Sequence, residues 1–479
     1  MKLWTTVLRL CVLLLIVVNF VTALTLFINR TGSSVLMDEA WHMLYYTQFS
    51  QGEHRYYPAE DLKRTYDGYT PFASQVFGWT IRLIDNDIRA VRFVAGTFGF
   101  GAIFLIGLMV YRLSGSRAAG WLAAGLGFAV EPAWFMETGP NAMHVFFSLL
   151  GVWLLIRDPA LSWKTCILSM LAFFLSYWSK QTGLAYLAVA CFFYFFKDIR
   201  KAAITTGLAV LLVVVTAWYF ENKPDSRFLY LVFLWNQNQP VYWNRLWEQL
   251  IPFYTTGWGI LLALTAFGVL QFRSWLDLFR SPAYLFMGAA FAVGTYTACK
   301  YGSGLNQTWF FLCLLIICGT EIASRLLRDG KIPEHLLLIL FVIQGIAIYQ
   351  DPRPMMIRDE DERRFAQIMN ILNTPEKKTY YVNSGYLNLI LGQEHYANVG
   401  HDVWDNGEFR PELYPQTWRD FLATNPWDIV IIDIPVEDGS FLLYEMLNRS
   451  YQAVMEIPAD SEFPQHGRLR FRKVVFHRQ

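Results

Sequence analysis

Long apolar runs bounded by short polar or charged stretches recur along the first 350 residues, whereas about the last 130 read like water-soluble protein. A hydrocarbon core about 30 Å thick takes roughly 20 mostly apolar residues per helix. The pattern predicts eleven membrane helices, near residues 10–28, 93–110, 118–136, 142–156, 165–179, 181–196, 202–220, 252–271, 282–299, 305–323 and 334–350. The runs at 93–110 and 202–220 contain no charged residue. The fourth and fifth runs are short, and the fifth and sixth nearly touch at Lys180.

Short loops set the orientation, because Lys and Arg are retained on the cytoplasmic side. One set of loops carries Lys2 and Arg9, Arg112 and Arg117, Arg157 and Lys164, Lys197 to Lys201, Arg273 and Arg280, and Arg325 to Lys331. The short loops of the opposite set hold only Lys180 and Lys300. A cytoplasmic N-terminus follows, and an odd number of spans carries the C-terminal part outside. The first run has the charge and apolar pattern of a signal peptide but no convincing small-residue cleavage site, so it reads as a retained helix.

Three large pieces then face outward: a loop of about 29–92, a shorter one of 221–250, and the tail from about 351. Within the first loop, Phe72, Val76, Phe77, Trp79, Ile81, Leu83 and Ile84 predict a helix lying in the interface. In the second, Trp235, Tyr242, Trp243 and Trp247 among polar residues predict an aromatic belt. The tail has strand-like runs at 378–383 and 428–434, the latter (DIVIIDI) of the buried parallel kind, and a closing strand at 469–477. Helices are expected at 360–372 and 440–447. The fold class is therefore a polytopic α-helical membrane protein, with a transmembrane domain over 1–350 and a soluble extracytoplasmic α/β domain over 351–479.

Composition agrees with a membrane location. Of 479 residues, 54% are hydrophobic and 16% charged, against about 25% charged in soluble domains. Forty Lys and Arg against thirty-nine Asp and Glu leave a net charge of +1, so no basic field would draw the chain to nucleic acid. All six cysteines fall in or at the ends of apolar runs, which leaves neither a disulfide framework nor a CxxC zinc site. The tail has no GxGxxG and no P-loop.

The sharpest local feature is Asp38-Glu39 in MDEAWHMLYY, just after the first run. On a helix, Asp38, His42 and Tyr45 stack along one face at spacings of four and three, with Trp41 beside them. Such a face can hold a sugar, and an acidic pair at the membrane rim suits removal of a proton from an acceptor hydroxyl. The same pair also suits the first turn of a helix through the dipole. Further polar groups gather at the outer ends of other runs: Glu131, Glu137 and Asn141, then Lys180, then Lys300 with Tyr301. Ionisable groups at that depth mark a site by default, and the lysines could steady a phosphate leaving group, although a lone interfacial lysine also serves as a snorkelling anchor. His144 lies deeper in its run and reads as a helix-packing histidine. No HExxH or paired metal spacing occurs. No cofactor is assigned, and a divalent cation at Asp38 and Glu39 would need further ligands.

These residues resemble the GT-C superfamily of integral-membrane glycosyltransferases, in particular its protein O-mannosyltransferase and aminoarabinose-transferase-like branch. The resemblance lies in order and position: the acidic pair after the first run, DIRAVRF before the second, METGP ending the third, SKQTGL opening the sixth and KYGSGLN before the tenth. It covers residues 1 to about 350. Where relatives often read REARPY, this chain reads METGPN, keeping Glu137 and Pro140 but replacing the Arg and Tyr by Gly139 and Asn141. The resemblance implies transfer of a sugar from a polyprenyl-phosphate donor to a hydroxyl on a glycan, lipid or protein outside the cytoplasmic membrane, or in the endoplasmic reticulum of a eukaryote. It implies Asp38 as general base beside Glu39, inversion at the anomeric carbon, and Lys180 and Lys300 near the lipid phosphate. A secondary transporter is the rival from another class, but its charges would sit near the midplane and its halves would repeat. A polytopic glycan polymerase or ligase is a nearer alternative.

Overall fold

The computed structural model describes residues 2–29, 37–54, 56–57, 69–84, 87–130, 138–235, 237, 239–300, 304–349, 359–381, 387–388, 391, 427–435, 451–457 and 471–478, with the side chains of 2–3, 37–41, 235, 361, 433–435, 456–457 and 471–473 outside that description. Each apolar run falls on helix over at least part of its length. In chain order the helices are α1 (Lys2–Asn29), α2 (Met37–Ser50), α3 (Phe72–Ile84), α4 (Ile88–Ser114), α5 (Arg117–Gly127), α6 (Asn141–Arg157), α7 (Trp163–Ser179), α8 (Gly183–Lys197) and α9 (Ile199–Glu221). They continue with α10 (Trp258–Leu270), α11 (Pro282–Ala298), α12 (Trp309–Arg328), α13 (Glu334–Ile348) and α14 (Asp359–Leu372). Among the described residues five helical stretches are long and apolar enough to cross a membrane: Trp4–Asn29, Ile88–Ser114, Ile199–Glu221, Leu246–Leu270 and Leu305–Arg328.

Two boundaries differ from the sequence expectation. The third run is helical only to Gly127, where two glycines in the last turn, Gly125 and Gly127, weaken helix propensity; its residues 131–136 lie outside the described ones. The eighth helical stretch begins at Leu246 rather than 252, so Trp247 belongs to the membrane helix and not to the preceding loop. The polar Glu248 and Gln249 disguise that first turn. Pro252 supplies no N–H, and the backbone on either side of it widens into π-helical turns, Leu246–Leu250 and Phe253–Gly257.

The centre of the bundle is α12, almost every residue of which is buried from Trp309 to Ala323. It packs against α4, α5, α10 and α11. By contrast α1 and α9 turn Leu10, Leu13, Leu14, Val210, Leu211 and Val214 outward, as lipid-facing helices do. Helices α4 and α5 approach at Gly107 and Gly120, where a Cβ on either would come within 3.1 Å of the other's carbonyl oxygen, the small-residue contact that membrane bundles favour. Hydroxyls within the helices donate to the carbonyl four residues back, as in Thr205 to Lys201 and Thr216 to Leu212, so they add no unsatisfied group to the lipid side.

Helix α2 lies along α3. As expected of an interfacial helix, α3 buries Phe77 and Ile81 and exposes Trp79, Leu83 and Ile84. In the tail, β1 (Thr379–Tyr381), β2 (Ile429–Pro435), β3 (Tyr451–Ile457) and β4 (Phe471–Arg478) form one sheet in the order β1-β2-β4-β3. β2 pairs in parallel with β1, as its continuous apolar run leads one to expect, and antiparallel with β4, so the sheet is mixed. β3 was not anticipated, because YQAVMEI exposes Val454 and Met455 at the sheet edge and lacks a clean alternation. The helix expected at 440–447 lies outside the described residues. Tyr381, Ile431 and Val475 stand in register across three strands. With Ile368 and Leu372 of α14 they belong to one apolar cluster that includes Met43, Leu44, Tyr45 and Tyr46 of α2 and Phe77 of α3. The tail therefore buttresses the helix that carries the acidic pair.

One side chain repairs the bundle's broken helix. Gln344 of α13, 1% exposed, inserts its carboxamide between Gly257 and Leu261, accepting from the Leu261 N–H at 3.2 Å and donating to the Gly257 carbonyl. Those two groups would otherwise close an ordinary i to i−4 bond, and inside a bilayer they have no water to turn to. Gln344→Leu is expected to lower stability by about 1–3 kcal/mol, read as a lower unfolding temperature in detergent; an unchanged temperature would show the insertion to be idle.

Candidate functional site

Helix α2 forms where the sequence predicts it, and its ring-bearing face is the floor of the candidate site. The His42 ring stacks on Tyr46 at 6.0 Å and 11°, meets Tyr45 edge-on at 6.4 Å and faces Tyr69 at 6.1 Å. Tyr45 and Tyr46 are both buried. The Tyr46 hydroxyl donates to the Thr138 carbonyl at 2.6 Å, which ties α2 to the segment leading into α6. Asp38 stands one turn before His42 on α2, about 6 Å up the axis from the helical rise. The side chains of Asp38, Glu39 and Trp41, like Glu131, Glu137 and Tyr301 altogether, lie outside the described residues.

Lys180 reaches the same place from the other side. It is 3% exposed, its Nζ donates to Asn141 Oδ1 at 2.6 Å and sits 5.8 Å from the centre of the Tyr69 ring. Tyr69 thus stands between His42 and Lys180. Asn141 opens α6 and Lys180 closes α7 in extended conformation, its N–H still bonded to the Ser176 carbonyl at 3.0 Å. The chain then turns at once into α8. A Cβ at position 183 would lie 2.3 Å from the Tyr177 nitrogen, so only glycine lets α8 start this close to the end of α7. Thr70 Oγ1 donates to the Tyr177 carbonyl at 2.7 Å and the Tyr56 hydroxyl to the Tyr69 carbonyl at 3.0 Å. These bonds pin the Tyr69 segment over the turn.

Two buried polar atoms beside this cluster, Thr138 Oγ1 and Gln181 Oε1, have no hydrogen-bond partner among the described residues. Orphaned buried atoms cost about 1–3 kcal/mol each, a cost that a ligand hydroxyl would relieve.

Lys300 has different neighbours. It follows α11, pairs as a bridge with Val241, and its Nζ lies 5.0 Å from the centre of the Tyr296 ring. Its carbonyl accepts from Arg245 Nη1 at 2.8 Å, and Arg245 itself covers the Tyr242 ring at 5.1 Å. Burial pushes the Lys300 ammonium below the ordinary lysine value of 10.5. Sequence reasoning passed over Arg245, Tyr69 and Tyr46: the first two lie in polar loops with no periodicity, and Tyr46 was visible only as the residue four beyond His42. Among the described residues no group of three or more His, Cys, Asp or Glu could hold a metal.

Neither a family model nor a curated protein sequence matches the chain. Solved structures do. ArnT from Cupriavidus metallidurans bound to undecaprenyl phosphate superposes with a TM-score of 0.57 at 13% identity, over 97% of each chain. The apo state of the same ArnT gives 0.54 at 13%, again over 97% of each. The oligosaccharyltransferase of Archaeoglobus fulgidus, in complex with zinc and sulfate, gives 0.54 at 12% over 93% of this chain and 72% of the other. At such identities the likeness is one of fold, shared with ArnT and with the archaeal oligosaccharyltransferase.

The Lys180 to Asn141 contact is the site's buried charge-assisted bond. Asn141→Leu is expected to lower stability by about 1.5–3 kcal/mol, and adding Lys180→Met should recover part of the loss because the ammonium that donates to Asn141 Oδ1 goes with it. Unfolding temperatures of the two singles and the double check this; purely additive losses would contradict it.

Proposed function

We propose that the chain is a glycosyltransferase that moves a sugar from a polyprenyl-phosphate donor to an acceptor hydroxyl on the extracytoplasmic face of the membrane. The observation that carries the reading is the meeting of α2, Tyr69 and the Lys180 turn. One helix turn separates the Asp38 position from the His42 ring, and Tyr69 lies between that ring and a buried lysine. The shared fold supports it, since one of the superposed proteins was solved with undecaprenyl phosphate bound and another is an oligosaccharyltransferase.

In this mechanism Asp38 takes the proton of the acceptor hydroxyl. The freed oxygen attacks the anomeric carbon from the face opposite the phosphate, the bond from that carbon to the phosphate oxygen breaks, and configuration inverts. Negative charge grows on the departing lipid phosphate, where Lys180 and Lys300 offset it. Glu39 and Glu137 hold the acidic environment of the base. Trp41, His42, Tyr45 and Asn141 line the sugar, and Thr138 Oγ1 and Gln181 Oε1 supply partners for its hydroxyls. The polyprenyl tail lies between helices, so no soluble nucleotide pocket is needed. The N-terminus is cytoplasmic and the 351–479 domain external, over α2, where it shapes acceptor access.

The test is turnover of undecaprenyl-phosphate-linked hexoses and pentoses by the purified chain in nanodiscs, with mass spectrometry of the acceptor. Asp38→Asn should reduce transfer by about 10²–10⁴-fold with unchanged unfolding temperature. Solute uptake into vesicles without any lipid-linked sugar would instead indicate a transporter. A second expectation concerns pH. Because burial lowers the Lys300 pKa, its charge is lost before 10.5 as pH rises, so activity should fall along an alkaline limb below that value. Lys300→Arg, whose guanidinium stays charged, should move the limb upward; an unmoved limb would remove Lys300 from the phosphate site.

A further inference from the structure

Behind the site runs a chain of buried polar groups that the mechanism does not use. His144, three residues after Asn141 on α6 and buried, places Nδ1 2.9 Å from Ser176 Oγ and 3.2 Å from the Ser176 carbonyl oxygen. A carbonyl oxygen only accepts, so Nδ1 carries the proton in this contact. Nε2 is then left to accept, and Thr182 Oγ1 lies 3.3 Å from it. The ring stacks on Tyr186 at 5.6 Å and 26°. Ser176 Oγ is bonded onward to Ser148 Oγ at 2.7 Å, so α6 grips the end of α7 at two levels.

Two details show what this chain holds. Thr182 occupies the N-cap position of α8, where a threonine hydroxyl ordinarily accepts from the first turn of its own helix; here it makes no cap bond and turns to His144. The Ser176 carbonyl, which His144 touches, is also the acceptor of the Lys180 N–H. His144 therefore contacts the turn 179–183 on both sides of Lys180, through Ser176 before it and Thr182 after it. Asn141, one helical turn away on the same helix, receives the Lys180 ammonium. An apolar residue at 144 would fill the same space between α6 and α7 but could not join the two ends of the turn, which the two ring nitrogens of His144 do.

We infer that His144 is a positioning residue: with Thr182 and Ser176 it fixes the 179–183 turn so that the Lys180 ammonium stands where negative charge grows during transfer. The inference rests on the glycosyl-transfer reading, in which Lys180 acts on the departing phosphate. Displacing that lysine weakens an interaction made mainly in the transition state, so turnover falls and donor binding changes little.

Thr182→Val keeps the shape of the turn and removes the donor to Nε2, and His144→Leu removes the whole link. Steady-state kinetics with an undecaprenyl-phosphate-linked sugar in nanodiscs should show kcat down by about tenfold for Thr182→Val and further for His144→Leu, with KM within about twofold. Thr182→Ser should restore kcat. In a Lys180→Met background, which retains a residual rate, Thr182→Val should change kcat by less than about twofold, because the group being positioned is gone. The same tenfold loss in both backgrounds, a change confined to KM, or failure of Thr182→Ser to rescue would overturn the positioning role while leaving glycosyl transfer intact. A wild-type chain that consumes no polyprenyl-phosphate sugar and binds no undecaprenyl phosphate would overturn both.

Discussion

Inside hydrocarbon, every backbone and side-chain polar group has to find its partner within the chain, and the architecture follows from that requirement. It makes the apolar runs helical. It turns their threonine and serine hydroxyls back onto the preceding turn, as at Thr205, Thr216 and Ser169. Where Pro252 and the π-helical turns disturb a helix, it brings the Gln344 carboxamide from a neighbouring helix to fill the interrupted bond between Gly257 and Leu261. In α12 it pairs the buried Glu321 carboxylate with Arg325 one turn later, at 2.6 Å.

The same requirement explains why polar side chains gather at helix ends. Helix termini leave backbone groups open, and loops there can supply side chains that the span interior cannot. The turn from α7 to α8 is the densest example. Asn141 and His144, in the first turn of α6, bond across to Lys180, Ser176 and Thr182 some 32 to 39 positions later in the chain, and Gly183 keeps the turn that carries them tight. Against this fixed cationic turn stands the aromatic face of α2, with Tyr69 between them. In the proposed transfer, a buried lysine on one side and the helix of an acidic pair on the other would keep proton removal apart from leaving-group stabilisation.

The tail adds a second constraint. An isolated small sheet with one exposed edge would bury little, but the face bearing Tyr381, Ile431 and Val475 shares a core with α2 and α3. The helix of Asp38 is thereby held by α3, by the tail, and by the Tyr46 bond to the Thr138 carbonyl. A short helix buried all round from Met43 to Gln48 thereby gains the fixed placement that positioned chemistry requires.

Much of this was legible in the linear order of residues. The apolar runs marked helices because their length and lack of charge leave few alternatives, and MDEAWHMLYY announced a helix with His42 and Tyr45 on one face. DIVIIDI announced a buried strand. Lys180 and Asn141 stood out because charge and amide are rare at span ends. What the linear order left undecided depends on contacts between residues far apart. Tyr69 lies 27 residues after His42 and 111 before Lys180, and nothing in its surroundings marks it as the ring between them. Gln344 looks like an ordinary polar residue in an apolar run until it meets Gly257, 87 positions away. β3 and the mixed pairing of β2 were undecided because one strand's composition does not specify its neighbours' direction. Periodicity and composition determine which face of an element is apolar and which residues could react; only packing brings a histidine on α6 against a threonine on α8 and so decides where a lysine points.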